Sequence, residues 1–448
     1  MTSLVEILDV SVSTAADGLL AAHLECPRTG ERSDDEYAIE VEGWVVGSDG
    51  PVPAVEIVHG DLVLWRAPVT TERADIAALH PEAPQARRSG FHQPVGALAF
   101  PREFEFTVRA ALDGERSAEL ARVRGRRAAL ESGFEARLRP LMVTTPGRTG
   151  SRALLRLLAG HPENLVYRPT MYEPRAATYW MDVLRGLAEP ASYLRQATPE
   201  PIDFTRRGWW LGMQPPAPRS IPDRDIQSWL GSGWIAELAA ICQGRIEAFY
   251  DRIATNLARP AASYFVEKFA VRSSVQDLIW ELYPGARELI LVRDFRDLVA
   301  SIIAMNVKLG YQGFGRARVD SDSEFIERQM GGLATAFVRT WRERSDRAHL
   351  VRYEDLVLDR SGTLSGILDY LEIDSTPASI AAMSESLDER VPEMEGHGTS
   401  AGPEASIGRW REDLSPDLQE LCHAVFAPAL EAFGYSVEDD RTAGRASL

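Results

Sequence analysis

The sequence predicts an α/β fold in which helices flank a parallel sheet, preceded by a β-sandwich-like region. Three observations carry that prediction. Residues 1 to about 125 break into short alternating segments separated by turn residues. From about Leu138 onward, apolar strands alternate with helices, as in a parallel-sheet domain. The chain has 448 residues, 45% hydrophobic and 26% charged, which is a globular composition and enough length for two or three domains.

Within the first region, Tyr37 to Val46 is nearly alternating. Val55–Val58 and Leu62–Trp65 flank His59-Gly60-Asp61, a hairpin turn. Phe104 to Ala110 alternates, and the turn Asp113-Gly114 leads to another strand through Val123. Six to eight short strands are expected in all. The polar stretch from Thr70 to Gln93 predicts a long loop with a helical turn, and the charged run to Arg137 predicts a helical connector. The expected division is a β domain over 1–125, a linker helix over 126–137 and an α/β domain over 138–448. In the last, four strands each feed a helix. They are Leu141–Thr144, Tyr264–Val266, Glu288–Val292 and His349–Tyr353, with helices near 153–158, 273–282, 296–305 and 364–371. Residues 175–262 read as mostly helical, with a proline-rich break at Gln214 to Pro222. There is no internal repeat.

Composition excludes several functions. With 49 basic and 66 acidic residues the net charge is −17, which opposes phosphate backbones and anionic membranes, so neither is an expected partner. Cys26, Cys242 and Cys422 are widely spaced and form no CxxC. That argues against a disulfide scaffold or zinc site and fits a reducing cytoplasm. Glu6 and Asp9 stand where an export signal would be basic and then apolar. No apolar run approaches the length of a membrane span. Only two of the basic residues are lysines, Lys268 and Lys308, against 47 arginines. Arginine is the default cation of this chain, so each lysine is a position to test for a need that arginine does not meet.

Two motifs carry chemistry. Pro146-Gly147-Arg148-Thr149-Gly150-Ser151-Arg152 lies between a strand and a helix. Glycines there expose backbone N–H groups, the helix adds its positive end, and Arg148, Thr149 and Ser151 add a charge and hydroxyl donors, so an anion is favoured. The plain alternative is an ordinary strand-to-helix turn. The Walker pattern GxxxxGK[ST] is absent. The second motif is Arg293-Asp294-Phe295-Arg296-Asp297 followed by Ser301. An arginine at a strand end and a serine two helical turns on can converge on a second phosphate, and the alternative is an Arg–Asp pair stabilising the helix start.

Taken together the chain resembles the sulfotransferases that use 3′-phosphoadenosine 5′-phosphosulfate (PAPS), of a bacterial type with an N-terminal β-rich accessory domain. Arg148-Thr149-Gly150-Ser151 matches the first family signature. Arg293 to Ser301 matches R-D-P-R-D-x-x-x-S with Phe295 in place of proline. Arg352-Tyr353-Glu354-Asp355-Leu356 looks like R-Y-E-D-L, and Ser406-Ile407-Gly408-Arg409-Trp410 resembles the closing S-x-G-x-W. The four lie in family order over about 138–435. The resemblance implies a P-loop-like parallel sheet, the sulfotransferase fold, with PAPS as donor, PAP as product and no metal. It implies that Arg148, Thr149, Gly150, Ser151 and Arg152 wrap the phosphosulfate and that Arg293 and Ser301 hold the 3′-phosphate. Arg409 and Trp410 would close over that end, and Tyr353 would lie beside the adenine or serve structurally. Ala153 stands where the cytosolic branch often has an aromatic residue, so adenine stacking must come from elsewhere.

Sulfuryl transfer needs an acceptor that loses its proton, in-line geometry and cationic support. The cytosolic branch's K-T-H histidine is replaced here by Ala270, while Lys268 is kept. Another branch uses a glutamate after the phosphate loop, and Glu173 lies 25 residues after Arg148. Glu173 is therefore the expected general base, and Lys268 the expected contact to the sulfonate or leaving oxygen. Glu267 is the runner-up base, followed by His161 and His397, and the plain reading of Glu173 is a salt bridge at Arg168 or Arg175. Trp209, Trp210, Trp229 and Trp234 suit a carbohydrate or apolar hydroxyl acceptor, or equally a packed core. Two other functions compete: a kinase or phosphotransferase with a divergent phosphate loop, and a non-catalytic glycan- or partner-binding protein. The N-terminal region would position substrate, mediate homodimerisation or cover the catalytic domain.

Overall fold

A computed structural model of the chain describes all residues except 1–2, 14–16, 35–36, 61, 113–115, 170–171, 189–232, 272–274, 388–397 and 437–448. The proline-rich break, Trp209, Trp210, Trp229, His397 and the Asp113-Gly114 turn lie outside the described residues. The chain divides into two compact units. One comprises Met1–Glu135, Ala177–Ile246 and Ser274–Pro284, the other Ala136–Ala176, Glu247–Ser273 and Gly285–Leu448.

The first unit holds nine strands among its described residues: β1 (Val5–Val12), β2 (Leu19–Cys26), β3 (Arg32–Ser33), β4 (Ala38–Gly47), β5 (Ala54–His59), β6 (Leu62–Pro68), β7 (Gly90–Gly96), β8 (Glu103–Ala111) and β9 (Ser117–Arg127). They form two antiparallel sheets, ordered β3-β1-β9-β8-β5-β6 and β2-β4-β7. The predicted hairpin is present, with His59 paired to Leu62 around Gly60 at φ 57°. The stretch expected as a loop from Thr70 contains helix α1 (Ala74–Leu79) and ends in β7. Pro94 hid that strand: β7 is a sheet edge, and an edge tolerates a residue with no N–H to donate.

The connector expected as a helix is not one. Arg126 and Arg127 finish β9, and residues 128–136 are irregular. Side chains take the N–H groups that a helix would have paired internally. Leu130 N donates to Glu281 Oε1 at 2.5 Å and Phe134 N to Ser132 Oγ at 3.2 Å, with Gly133 between them at φ 65°. Arg127 itself is buried and donates to both carboxylate oxygens of Glu281, at 2.9 and 2.6 Å.

The second unit is built on a parallel sheet of β10 (Arg139–Thr144), β11 (Asn164–Leu165), β12 (Tyr264–Phe269), β13 (Arg287–Val292) and β14 (Ala348–Arg352), ordered β11-β12-β10-β13-β14. Both faces are buried, as near-continuous apolar strands require. Leu289 and Leu291 pack with the leucines of helix α2 (Ser151–Gly160). Ile290 and Val292 pack on the other face with Phe295 of helix α3 (Phe295–Leu309). The α/β architecture with an N-terminal antiparallel β region is the predicted fold class. Because β10 has β12 on one side and β13 on the other, the chain switches direction beside it. Open α/β sheets bind ligands outside the strand carboxyl ends at such a point.

Candidate functional site

Each strand around the switch point delivers a motif at its carboxyl end. After β10 the chain enters the loop Thr145–Gly150, where Arg148 (φ 71°) and Gly150 (φ 83°) are both left-handed. That conformation turns backbone N–H groups into a concavity, which the N-terminus of α2 extends. Gly150 is needed for a second reason, since a β-carbon there would run into the Tyr353 ring. The loop is stitched by its threonines. Thr145 donates to Leu291 O at 2.8 Å and accepts from the Thr149 hydroxyl at 2.5 Å, with Pro146 O 3.0 Å from the same Thr149 hydroxyl. Thr149 is fully buried, so its hydroxyl shapes the loop from inside.

After β13 comes Arg293, which is 5% exposed. It donates to Arg148 O at 3.1 Å and to Ser406 O at 2.5 Å, and its guanidinium lies 4.8 Å from the Tyr353 ring centre. Its Nε is buried and meets no acceptor among the described residues. Helix α3 follows at once. Asp294 caps it by accepting from Arg296 N at 2.9 Å. Phe295, standing in for the family's proline, occupies N1, where either residue is tolerated. Its ring packs against Phe426, Phe433 and Phe337. Ser301, buried two turns into the helix, accepts from Arg148 Nε at 3.3 Å. Arg293 and Ser301 thus meet at Arg148, one at its carbonyl and one at its side chain.

The two later motifs brace this arrangement. Tyr353 lies between Gly150 and Arg293, and its hydroxyl is 3.0 Å from Ser406 Oγ. Ser406 spends its own proton on Pro403 O, so Tyr353 is the donor. Glu354 accepts from Asp294 N at 3.1 Å and from Tyr435 at 2.7 Å, and burial pushes its carboxyl above the usual range. In the closing segment, Arg409 donates to Asp413 at 2.6 Å and to Thr399 Oγ1 at 2.8 Å, while Arg148 reaches the same Thr399 at 3.2 Å. The Trp410 side chain, expected over the 3′-phosphate end, is in the core at 1% exposure, with Arg296 and Arg411 on its ring. A large ring on the buried side of a short helical turn fills the core.

The electrostatics are those of an anion site. The Arg148 guanidinium is held below its ordinary range by burial, and then by the charges of Arg293, Arg152 and Arg409. Mutual repulsion among like charges is relieved by an anion placed among them. This is a local reversal of sign in a chain of net charge −17.

On the β12 side, Lys268 donates to Glu173 Oε1 at 3.0 Å, and Arg152 Nε lies 3.6 Å from the same oxygen. All three side chains are partly exposed. The ion pair foreseen for Glu173 at Arg168 or Arg175 is made instead with Lys268 and Arg152. Glu267, the neighbour of Lys268, is fully buried and accepts from Tyr250 at 2.6 Å. Adjacent strand residues face opposite sides of a sheet, which separates it from Lys268. His161 is a satisfied loop histidine. Glu163 N donates to its Nδ1 at 3.2 Å, and its Nε2 is 3.0 Å from Asp374 O.

Three contributors have roles that the sequence did not assign. Thr399 joins Arg148 to Arg409, and no motif contains it. Lys308, for which the sequence offers no role, donates to Gly398 O at 2.6 Å and so fixes the residue next to Thr399. Asp297, within the second motif, accepts from Gly408 N at 2.7 Å and Trp410 N at 3.1 Å. Among the described residues no helix is long and apolar enough to cross a membrane. No acidic, histidine or cysteine cluster among them could hold a metal.

Residues 140–377, more than half of the chain, match the profile of the sulfotransferase family. No curated protein matches. Among solved structures, the sulfotransferase domain from the curacin biosynthetic pathway is 16% identical, covering 68% of this chain and 100% of that one at a TM-score of 0.36. The sulfotransferase domain from the Synechococcus PCC 7002 olefin synthase is 18% identical, covering 69% and 99% at 0.38. A mouse sulfotransferase complexed with PAP is 12% identical, covering 67% and 87% at 0.34.

Proposed function

The chain belongs to the sulfotransferase family and is an enzyme of sulfuryl transfer, and from that premise we propose that its donor is PAPS and its acceptor a hydroxyl group on a carbohydrate or small natural product. One observation carries the donor reading: four arginines converge on a left-handed loop, and the buried Nε of one of them, Arg293, meets no acceptor among the described residues. A dianionic nucleotide phosphate fits such a cradle, and the residues present suit it. Backbone N–H groups from Arg148 to Arg152 and the Arg148 guanidinium would hold the phosphosulfate. Arg293, Ser301 and Arg409 would hold the 3′-phosphate.

When bound, PAPS supplies a sulfuryl group already activated by its link to phosphate. The chain's own residues supply position, charge and a proton acceptor. Glu173 is the general base: both cations address Oε1, and in this reading Oε2 receives the acceptor's proton. Lys268 holds that carboxylate and keeps a compact positive charge beside the reacting atoms, and Arg152 reaches Glu173 from the phosphate-loop helix. The buried threonines keep the loop rigid without competing for the ligand.

The test is thermal stabilisation by adenosine 3′,5′-bisphosphate. A ligand bound only by the folded state adds roughly 2.7 kcal/mol at a hundred times its Kd. The bisphosphate should raise the melting temperature more than ATP does at equal concentration. Equal stabilisation by the two, or none by the bisphosphate, removes the donor assignment. A screen with labelled PAPS against pooled saccharides and phenols then tests the acceptor class.

A further inference from the structure

Two residues of helix α3 separated by one turn lie on the same face. One, Ser301, meets Arg148. The other, Asp297, has no part in the donor cradle, yet it is 1% exposed and keeps both carboxylate oxygens engaged with one short segment. Oδ2 accepts from Gly408 N at 2.7 Å and Oδ1 from Trp410 N at 3.1 Å. Gly408 is left-handed at φ 73°, so the chain bends there to present both groups. The same segment supplies Ser406 O to Arg293 and carries Arg409, whose guanidinium shares Thr399 with Arg148.

We propose that Asp297 is a positioning residue for the donor site: its ionised carboxylate holds the Ser406–Trp410 segment against the arginine cluster, and protonation loosens that segment and weakens nucleotide binding. The chemistry is direct. An ionised carboxylate accepts at both oxygens, while a protonated one turns an oxygen into a donor that opposes an N–H. One of the two anchors is then lost. Burial, and next the charge of Asp294, push the Asp297 carboxyl up to about 6, opposed by the two N–H groups and by Arg293. The other charged or titratable side chains nearby are Arg296, paired with Asp294, Arg411, on the Trp410 ring, and His423, packed on Trp410 from the helix Pro416–Ala432. The two N–H groups act against that rise, so with the carboxyl buried in both cases the held segment favours the ionised form more than the released one does, and the anchor weakens as pH falls through about 6.

The proposal rests on the donor reading for its ligand, and the experiment separates the two. Affinity for adenosine 3′,5′-bisphosphate is measured for the parent and Asp297→Asn at about pH 7.5 and about pH 5.5. The ligand's phosphates also titrate near pH 6, so the ratio of parent to variant affinity is read at each pH. The expected ratio is about tenfold or more at the higher pH, the worth of one hydrogen bond to a charged group, and about three- to fourfold smaller at the lower, where about a quarter of the carboxyl stays ionised. A ratio that does not change with pH overturns the proposal, as does a variant equal to the parent at the higher pH. In the unsubstituted, nucleotide-free protein, hydrogen-exchange protection of residues 404–414, corrected for the intrinsic pH dependence, should fall between the two pH values. Constant protection overturns the proposal even if the variant does not fold. A parent that binds no bisphosphate at either pH sinks the donor reading, and the exchange result still decides on Asp297.

Discussion

Replacing Arg293 by methionine removes a charge while keeping most of the volume. In the nucleotide-free protein the guanidinium serves two carbonyl oxygens, Arg148 O and Ser406 O. Both are donated by a charged group, and losing such bonds costs about 1.5–3 kcal/mol each. Part of that is offset, because Arg148 loses the first of the like charges that oppose it. The nucleotide-bound protein loses more. A charge-assisted hydrogen bond is worth about 1.5–3 kcal/mol, so losing one or two from the 3′-phosphate weakens binding by about 3 kcal/mol, or roughly a hundredfold. Isothermal titration with adenosine 3′,5′-bisphosphate reads that loss directly. In a melting experiment at a ligand concentration of about a hundred times the parent Kd, the ligand-induced shift should nearly vanish. The nucleotide-free variant should itself melt below the parent, so the ligand-induced shift is read for each protein against its own nucleotide-free midpoint. An affinity within about threefold of the parent would falsify the assignment of Arg293 to the phosphate, since less than about 0.7 kcal/mol is too little for one charge-assisted bond.

Glu173→Gln should lower turnover by at least about a hundredfold, as loss of a general base does, with bisphosphate affinity changed little; parent-like turnover excludes Glu173 as the base. Lys268→Arg keeps the charge but not the compact ammonium, and a clear fall in kcat is expected; an unchanged kcat means arginine serves equally well there. Glu281→Gln leaves the buried Arg127 with half its partner, and chemical denaturation should show a loss of about 3–5 kcal/mol. Replacing both Arg127 and Glu281 by methionine should recover most of that, and a double variant as unstable as the single one would show that the pair is not the cause.

What the sequence disclosed and what it hid follow from the range of the interactions involved. Strand-then-helix alternation is local, so the parallel sheet was readable from apolar runs and turn residues. The spacing from Arg293 to Ser301 is also local, being fixed by helix geometry, so that the two can share one site was readable; that they meet at Arg148 was not, because Arg148 lies about 150 residues away. The connector at 126–137 failed because its charged residues suggested a helix, whereas Glu281, far along the chain, supplies the acceptor that an irregular backbone needs. Strand β7 was missed because Pro94 reads as a breaker unless the strand is known to be an edge. Trp410 was placed at the ligand by its motif, yet its ring faces the core, and a four-residue helical turn carries no periodicity from which to read a face. Thr399 and Asp297 act through partners more than a hundred residues away, with the Arg409 contact to Thr399 as the near exception.

Two lysines in 448 residues have a practical consequence at the bench. Reagents that attack amines, such as the active esters used for dyes, crosslinks and chip immobilisation, find only Lys268, Lys308 and the chain's α-amino group. Lys268 is ion-paired to Glu173, and Lys308 fixes Gly398 beside Thr399. Random amine coupling, harmless to most proteins, would here fall on the site itself. Mass-spectrometric footprinting with an amine-selective reagent becomes a two-residue assay, in which nucleotide should shield Lys268 from acylation. Conjugation meant to spare the enzyme is better directed to a lysine engineered on the exposed strands of the N-terminal sheets.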